Sequence, residues 1–217
     1  MTASVTPAAR LRVLDTGLAD ARRNVALSAA LIEAHGRGEV PDTLRLHRYE
    51  KCVLIGRSQE VAAAVDPEAC RRRGAAIVRR VSGGGAVAMA PGILAWDLVA
   101  ARGRWGSLDE AAAGIGGGVA AALRELGFAA EFRAPGEVAV GGRKVAGFGG
   151  AFEGPSLLHQ GSLLVEADTA EMAELLGLPP LPVATLAELG PLPEAGALAG
   201  ALAAAIAGAL GAEVVAG

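Results

Sequence analysis

The stretch Arg-Arg-Val-Ser-Gly-Gly-Gly-Ala-Val, residues 79–87, places three consecutive glycines between two apolar segments, and it decides how the fold is interpreted. Glycine loses more backbone entropy on folding than other residues, so three in a row weaken an ordinary hairpin. They suit a loop on which a ligand lies directly, with backbone N–H groups turned toward an anion. Arg80 beside them offers a bidentate grip on phosphate or carboxylate. In a chain with 31 glycines, a plain turn is an equally good interpretation.

A second segment, Gly-Gly-Arg-Lys-Val-Ala-Gly at 141–147, contains one of only two lysines, Lys51 and Lys144, among 20 basic residues. The composition is rich in alanine, glycine and arginine, which suggests that arginine serves wherever a generic positive charge is enough. A compact ammonium at Lys144 can reach an acyl carboxylate or an α-phosphate where a planar guanidinium fits poorly. An exposed hairpin lysine is the alternative.

Composition excludes several classes of protein. The 217 residues are 52% hydrophobic and 20% charged, with a net charge of −3, so the chain can bury a large core and carries no broad nucleic-acid footprint. The apolar run 196–210 is shorter than a bilayer span, and the first residues lack the apolar centre of a signal peptide. Cys52 and Cys70 form no CxxC pair, which favours a reduced cytoplasmic protein with no membrane partner.

Periodicity and turn signals predict an α+β domain built on a mixed sheet flanked by helices. Predicted helices cover 19–36, 66–73, 107–126, 168–177 and 194–210, and predicted strands cover 43–49, 52–56, 75–81, 86–89, 93–101, 128–133, 137–140, 143–146 and 157–166. The strands at 43–49 and 52–56 are expected to pair, as are those at 86–89 and 93–101. We expect Asp66, Ser107 and Asp168 to cap helices.

Two other features carry less weight. The run Gly114–Val119 superficially matches a dinucleotide-binding loop, but such a loop follows a strand, whereas this run lies inside a helix. Close helix packing is the better explanation. His159 heads an apolar strand without a second histidine or an acidic cluster nearby. We interpret it as a core or rim residue and expect no metal site.

Taken together, three motifs in order resemble the lipoate–protein ligase A family of the biotin/lipoate A/B protein ligase superfamily. They are RRVSGGGAV (79–87), GGRKVAGFGG (141–150) and HQGSLLVEAD (159–168), and the resemblance spans about residues 20–190. It implies a class II synthetase or biotin-ligase-like catalytic domain covering 1–217. Residues 178–217 are then expected to form a helical tail, without an accessory domain.

The resemblance also implies a reaction. ATP, as its Mg²⁺ complex, activates lipoate or octanoate to an acyl-adenylate. The acyl group then passes to a lysine of a lipoyl carrier domain, in a 2-oxoacid dehydrogenase E2 or a glycine-cleavage H-type protein. Lys144 is the implied catalytic cation, and Arg80, Gly84, Gly85, Ala86, Val87 and Ala88 are the implied substrate- and ATP-binding residues. Val81, Val87 and Leu158 are expected to help build an apolar acyl slot.

Departures from the family pattern keep alternatives open. Met89-Ala90 and Gly92-Ile93 replace the usual His-Asp and Gly-Asn. Glu131 stands where related octanoyltransferases have a nucleophilic cysteine, which argues against octanoyl transfer from a carrier protein. A separate accessory subunit, or a non-catalytic protein that binds lipoyl domains, is also compatible with these residues.

Overall fold

The computed structural model describes residues 9–216, which form both strands and helices. The strands are β1 (Ala9–Ala19), β2 (Thr43–Tyr49), β3 (Cys52–Ile55), β4 (Ala76–Arg79), β5 (Val87–Met89), β6 (Ile93–Ala101), β7 (Ala130–Arg133), β8 (Glu137–Val140), β9 (Arg143–Glu153), β10 (Ser156–Leu164) and β11 (Ala212–Ala216). The large sheet has the order β11-β1-β2-β6-β10-β9-β8-β7, and the small sheet has the order β4-β3-β5. Parallel and antiparallel pairs occur in both sheets, so the predicted mixed α+β fold is confirmed.

Helices cover both faces of the large sheet. They are α1 (Ala21–Gly36), α2 (Val61–Ala64), α3 (Pro67–Arg72), α4 (Leu108–Glu125), α5 (Thr169–Leu175), α6 (Leu186–Leu189) and α7 (Ala195–Leu210). On one face, Ile115 of α4 and Leu202 of α7 pack with Trp96 of β6 in the main apolar core. On the other face, α1 and the small sheet enclose separate apolar clusters. None of the helices within residues 9–216 is long and apolar enough to cross a membrane.

The predicted helix caps are confirmed. The carboxylate of Asp66 accepts hydrogen bonds from the first turn of α3, and that of Asp168 does the same for α5. Ser107 Oγ accepts from the backbone N–H of Glu110 at 3.1 Å. The Glu110 carboxylate accepts from the Gly106 N–H rather than from that of Ser107, so only half of the capping box forms. Each cap satisfies a backbone donor that the helix itself leaves free.

Two glycines of α4 serve close packing, which is the explanation favoured for this run in the sequence. A Cβ on Gly118 would lie 3.0 Å from the carbonyl oxygen of Ala205 in α7. A Cβ on Gly116 would lie 2.5 Å from the ring of Phe132 in β7. The missing side chains therefore let α4 approach both a helix and a strand of the large sheet.

Two predicted strand pairs are wrong. β2 lies inside the large sheet between β1 and β6, whereas β3 is the central strand of the small sheet. β5 and β6 likewise belong to different sheets, although the turn between them is closed by a hydrogen bond from Ile93 N to Ala90 O. Short loops usually join paired strands, but here they carry the chain from one sheet to the other.

The segment 178–217 is not simply a helical tail. It contains α6 and α7, but the strand β11 follows them and pairs in parallel with β1. The sequence patterns predicted neither of these two strands. The segment that precedes α6 forms two backbone hydrogen bonds with Lys144, both of 2.9 Å: Lys144 N donates to Pro182 O, and Ala184 N donates to Lys144 O. This short bridge ties the segment to β9.

Candidate active site

The guanidinium of Arg80 binds the glycine-rich loop itself. Its nitrogens donate to the carbonyl oxygens of Gly83 (2.6 Å), Gly85 (2.8 Å) and Leu54 (3.2 Å) and to Ser82 Oγ (3.0 Å). These four hydrogen bonds use four of the five N–H groups of an arginine. The main role of Arg80 is therefore to hold the loop in its conformation, and one N–H group of its guanidinium remains for a ligand.

The loop presents backbone donors that are free for an anion. Gly84 adopts a φ of +94°, a conformation that side-chain-bearing residues avoid, and its carbonyl lies against Gly56, where a Cβ would overlap it. Within residues 9–216, the N–H groups of Gly84, Gly85 and Ala86 donate no hydrogen bond. Gly84 and Gly85 are also exposed. Such a loop matches the anion-binding concavities formed by successive backbone N–H groups.

Lys144 is positioned by its backbone and by the glycine beside it. Its N–H and carbonyl are both bonded to the segment that contains Val183. Its side chain crosses Gly147, where a Cβ would lie 2.7 Å from Lys144 Cε and 2.8 Å from Nζ. The ammonium lies 3.9 Å from a carboxylate oxygen of Glu137, and the side chain is 38% exposed. By contrast, Lys51 is held by Glu171 at 2.7 Å.

Three cavities meet at Lys144. Cavity A, of about 170 Å³, is lined by Val87, Asp97, Gln160 and Ser162 among others. Cavity B, of about 520 Å³, borders Gly83, Gly84, Glu137 and His159. Cavity C, of about 310 Å³, is mostly apolar and borders Ala88, Ile93, Met172 and Val183. A single cation thus faces three separate spaces, as a group-transfer site with several substrate parts requires.

A buried polar chain runs from the large sheet to the loop. The Asp97 carboxylate pairs with Arg45, accepts from Ser28 Oγ at 2.8 Å and accepts from Gln160 Nε2 at 2.7 Å. The hydroxyl of Ser82 donates to Gln160 Oε1 and accepts from Arg80. Burial opposes ionisation of Asp97, but the interactions with His47 and Arg45 and the hydrogen bond from Gln160 together hold its pKa below the usual range. The chain fixes the loop against the sheet.

Two buried histidines each keep one ring nitrogen without a partner among the described residues. His159 Nδ1 accepts from Trp96 Nε1 at 3.4 Å, and its Nε2 is unbonded. Burial lowers the pKa of His159 to about 4. In His47 the unbonded atom is Nδ1, and burial lowers its pKa too. Both imidazoles are therefore neutral near pH 7.

Neither cysteine is placed for nucleophilic catalysis. Cys52 and Cys70 are buried and lie outside the linings of cavities A, B and C. Burial raises the pKa of the Cys52 thiol to about 12 and also raises that of Cys70, so both remain thiols at neutral pH. Glu131 is exposed on β7 and likewise lines none of the three cavities.

The residues singled out in the sequence divide among the three cavities. Arg80 and Gly85 line cavity A, Gly84 lines cavity B, Ala88 lines cavity C, and Ala86 and Val87 line both A and C. The three residues expected to build the acyl slot do not line one cavity. Val81 and Leu158 border a different cavity next to α1, because Leu158 lies under Ile32 of that helix. Only Val87 of that trio lies near Lys144.

Sequence patterns missed His47, Tyr49 and Asp97, which line cavity A but lie in ordinary strand segments without a motif. Gln160 and Gly147 line the same cavity and lie within the motifs 159–168 and 141–150, but the sequence patterns assigned neither of them a role. Strand pairing brings them together, and pairing register is not visible in the local sequence. The one available signal was the unusual presence of charged residues within otherwise apolar strands, at Arg45 and Asp97.

Two packed sheets, a glycine-rich loop and a lysine strand facing it define the class II synthetase-like fold of the lipoate and biotin ligases. Lipoate-protein ligase A bound with ATP superimposes with a TM-score of 0.82 and 22% identity, over 96% of this chain and 89% of that one. A bipartite lipoate protein ligase from Thermoplasma acidophilum gives a TM-score of 0.83 at 21% identity, over 96% and 87%.

The family is shown by sequence. The lipoyl protein ligase A/B catalytic domain model matches residues 20–196. The octanoyltransferase LipM of Kyrpidia tusciae is 33% identical in an alignment of length 194 that covers 77% of this chain and 70% of that relative. The chain belongs to the lipoyl protein ligase A/B family and is an enzyme of the lipoyl and octanoyl transferase type.

Proposed function

We propose that the protein is an ATP-dependent ligase that activates lipoate or octanoate and passes the acyl group to a lysine of a lipoyl carrier domain. The observation that carries this proposal is the convergence of three cavities on Lys144, opposite a loop with free backbone donors. A ligase of this kind must hold an acyl chain, a nucleotide and an incoming amine around one reacting carbon.

In the first step, a carboxylate oxygen of the fatty acid attacks the α-phosphorus of ATP, and pyrophosphate leaves. The Lys144 ammonium stabilises the negative charge that develops on the α-phosphate. The N–H groups of Gly84, Gly85 and Ala86 are suited to the phosphates. Magnesium accompanies ATP on its phosphates, as is usual for this ion, so the donor set required from the protein is small.

In the second step, the neutral amine of the carrier lysine attacks the acyl carbonyl, AMP leaves and the amine loses a proton. The same Lys144 charge stabilises the tetrahedral oxyanion, and the rest of catalysis is positioning. Cavity A, which is lined by residues of both sheets, suits the acyl group. Cavity C, beside the free edge of β5, suits the nucleotide base.

Mass spectrometry of the products formed with Mg-ATP and either lipoate or octanoate tests the proposal. We expect an acyl-adenylate, and Lys144→Ala should lower its rate of formation about a hundredfold, or about 3 kcal/mol. Lys144→Arg should restore little, because a planar fork does not replace a point charge. Lys51→Ala is the matched control, since Lys51 pairs with Glu171 and lies outside the three cavities; it should retain wild-type activity.

Near-wild-type activity of Lys144→Ala would contradict the role of this lysine. No acyl-adenylate in any condition, including one with an added lipoyl carrier domain, would contradict ATP-dependent ligation. The bipartite architecture of the Thermoplasma acidophilum ligase makes a separately added accessory polypeptide a necessary arm of the same assay. Carrier domains of both the E2 and the H-type should be supplied as acceptors.

The names of the relatives favour a second candidate, octanoyl transfer from a carrier protein without ATP. That reaction commonly proceeds through a thiolate, and the two buried thiols with raised pKa values oppose it. Incubation with octanoyl-carrier protein and a lipoyl domain, without ATP, separates the two functions. Acyl transfer in that assay would replace the ligase proposal with the transferase.

A further inference from the structure

The direction of each free N–H group in the glycine-rich loop is set by the carbonyl of the same peptide unit. A trans peptide is planar, and its N–H and C=O point to opposite sides. Arg80 Nη2 binds the carbonyl oxygens of Gly83 and Gly85, at 2.6 and 2.8 Å. The N–H groups of Gly84 and Ala86 therefore point away from the guanidinium. Within residues 9–216, the carbonyl oxygen of Gly84 accepts no hydrogen bond, so the middle peptide unit is held in another way.

Gly56, a residue outside the loop, holds this middle peptide unit. The carbonyl of Gly84 packs against Gly56, where a Cβ would overlap the oxygen and lie 3.2 Å from the carbonyl carbon. Because that carbonyl is directed at Gly56, the N–H of Gly85 points away from it. Gly56 is buried and Gly85 is exposed, so this arrangement turns the third donor toward the outside of the loop.

Gly56 is itself firmly held at the end of β3. Its N–H donates to Gln59 Oε1 at 2.9 Å, and its carbonyl accepts from Arg79 Nη1 at 3.0 Å and from the Gln59 N–H at 3.1 Å. Arg79 Nη1 also donates to the carbonyl oxygens of Arg57 and Gln59, which closes the turn. Because both backbone groups of Gly56 are bonded, a side chain at this position would displace the exposed loop rather than the turn.

We propose that Gly56 is a positioning residue for phosphate binding: the absence of its side chain leaves room for the Gly84 carbonyl and thereby directs the Gly85 N–H at the nucleotide phosphates. This inference rests on the proposed ATP-dependent function. Gly56 lines none of the cavities A, B and C, so it acts only through the loop. Its φ is not positive, so alanine can adopt its backbone conformation, and the overlap with Gly84 is the main consequence of the substitution.

Isothermal titration of the intact protein with Mg-ATP and, separately, with octanoate tests the inference. Gly56→Ala should weaken Mg-ATP binding about tenfold, because a correctly aimed hydrogen bond to a charged group is lost. Its effect on octanoate should be smaller than about twofold, since Gly84 borders cavity B and not cavity A.

Two further variants accompany Gly56→Ala. Gln59→Ala removes the acceptor of the Gly56 N–H without adding atoms, and it should weaken Mg-ATP binding about threefold. Gly103→Ala is the matched control, because Gly103 is exposed, has no positive φ and has nothing within 4 Å of its missing Cβ. It should bind both ligands as the wild-type protein does.

Wild-type affinity of Gly56→Ala for Mg-ATP would overturn the inference and leave the proposed function standing. Equal weakening of Mg-ATP and octanoate would also overturn it, because that result indicates a general structural role. If urea denaturation shows that Gly56→Ala does not fold, unchanged Mg-ATP affinity of Gln59→Ala decides against the inference. A wild-type protein that does not bind Mg-ATP would refute the ATP-dependent function and this inference with it.

Discussion

Gly147 controls where the Lys144 ammonium lies. The lysine side chain occupies the space that a Cβ on Gly147 would fill, and Gly147 also lines cavity A. The only atoms close to that Cβ are Cε and Nζ, at the far end of a flexible chain. Displacing them moves a charge without disturbing the core.

Gly147→Ala should therefore reduce acyl-adenylate formation at least tenfold while changing the free energy of unfolding by less than about 1 kcal/mol. Steady-state kinetics together with urea denaturation check this expectation. Gly200→Ala is the control, since this exposed glycine of α7 has open space around it and should leave activity unchanged. An active Gly147→Ala enzyme would show that the observed path of Lys144 is not the reactive one.

At the scale of elements, the glycines of α4 differ in how closely other residues pack against them. Gly116 faces the rings of Phe132 and Phe148, whereas Gly117, one residue later, has nothing within 4 Å of its missing Cβ. Both lie in the same helix with ordinary helical backbone angles. They form a natural pair for separating packing from helix propensity.

Gly116→Ala should destabilise the protein by about 1–3 kcal/mol, because the new methyl group meets aromatic carbons at 2.5–2.7 Å. Gly117→Ala should instead stabilise it by about 0.5–1 kcal/mol, through the higher helix propensity of alanine. Chemical denaturation of the two variants measures both changes. Equal effects of the same sign would contradict the packing explanation.

Local signals predicted the elements well and their assembly less well. The sequence predicted the helix caps at Asp66, Ser107 and Asp168 and the strand that contains Lys144, because each of these features depends on residues close in sequence. The sequence could not predict that β2 and β3 belong to different sheets. Two consecutive apolar strands have the same sequence pattern whether they pair with each other or with other strands. The lining of cavity A could not be predicted for the same reason, because it depends on the long-range register of several strands.

At the scale of the whole molecule, two neutral histidines are sealed inside the fold. Burial lowers the pKa of His159 to about 4 and lowers that of His47. An unfolded chain exposes both imidazoles, which then take up protons near pH 6.5. Between these values the unfolded state binds more protons than the folded state, so acid favours unfolding.

The free energy of unfolding should be undiminished above pH 6.5 and should fall as the pH is lowered toward 4, with a contribution from His159 of about 3 kcal/mol. Thermal and urea unfolding measured across this range test the slope. His159→Gln should flatten it, leaving the smaller effect of His47. A variant with an unchanged slope would mean that His159 is already protonated in the folded protein.

The hydrogen bonds that join Lys144 to Pro182 and Ala184 also connect parts of the chain that are synthesised at different times. Chains leave the ribosome with their N-terminal residues first, so β9 appears well before the segment that braces it. A nascent chain that stops between them carries the lysine without its backbone partners and without one wall of cavity C. The backbone hydrogen bonds that hold Lys144 can therefore form only after β10 and α5 have been made.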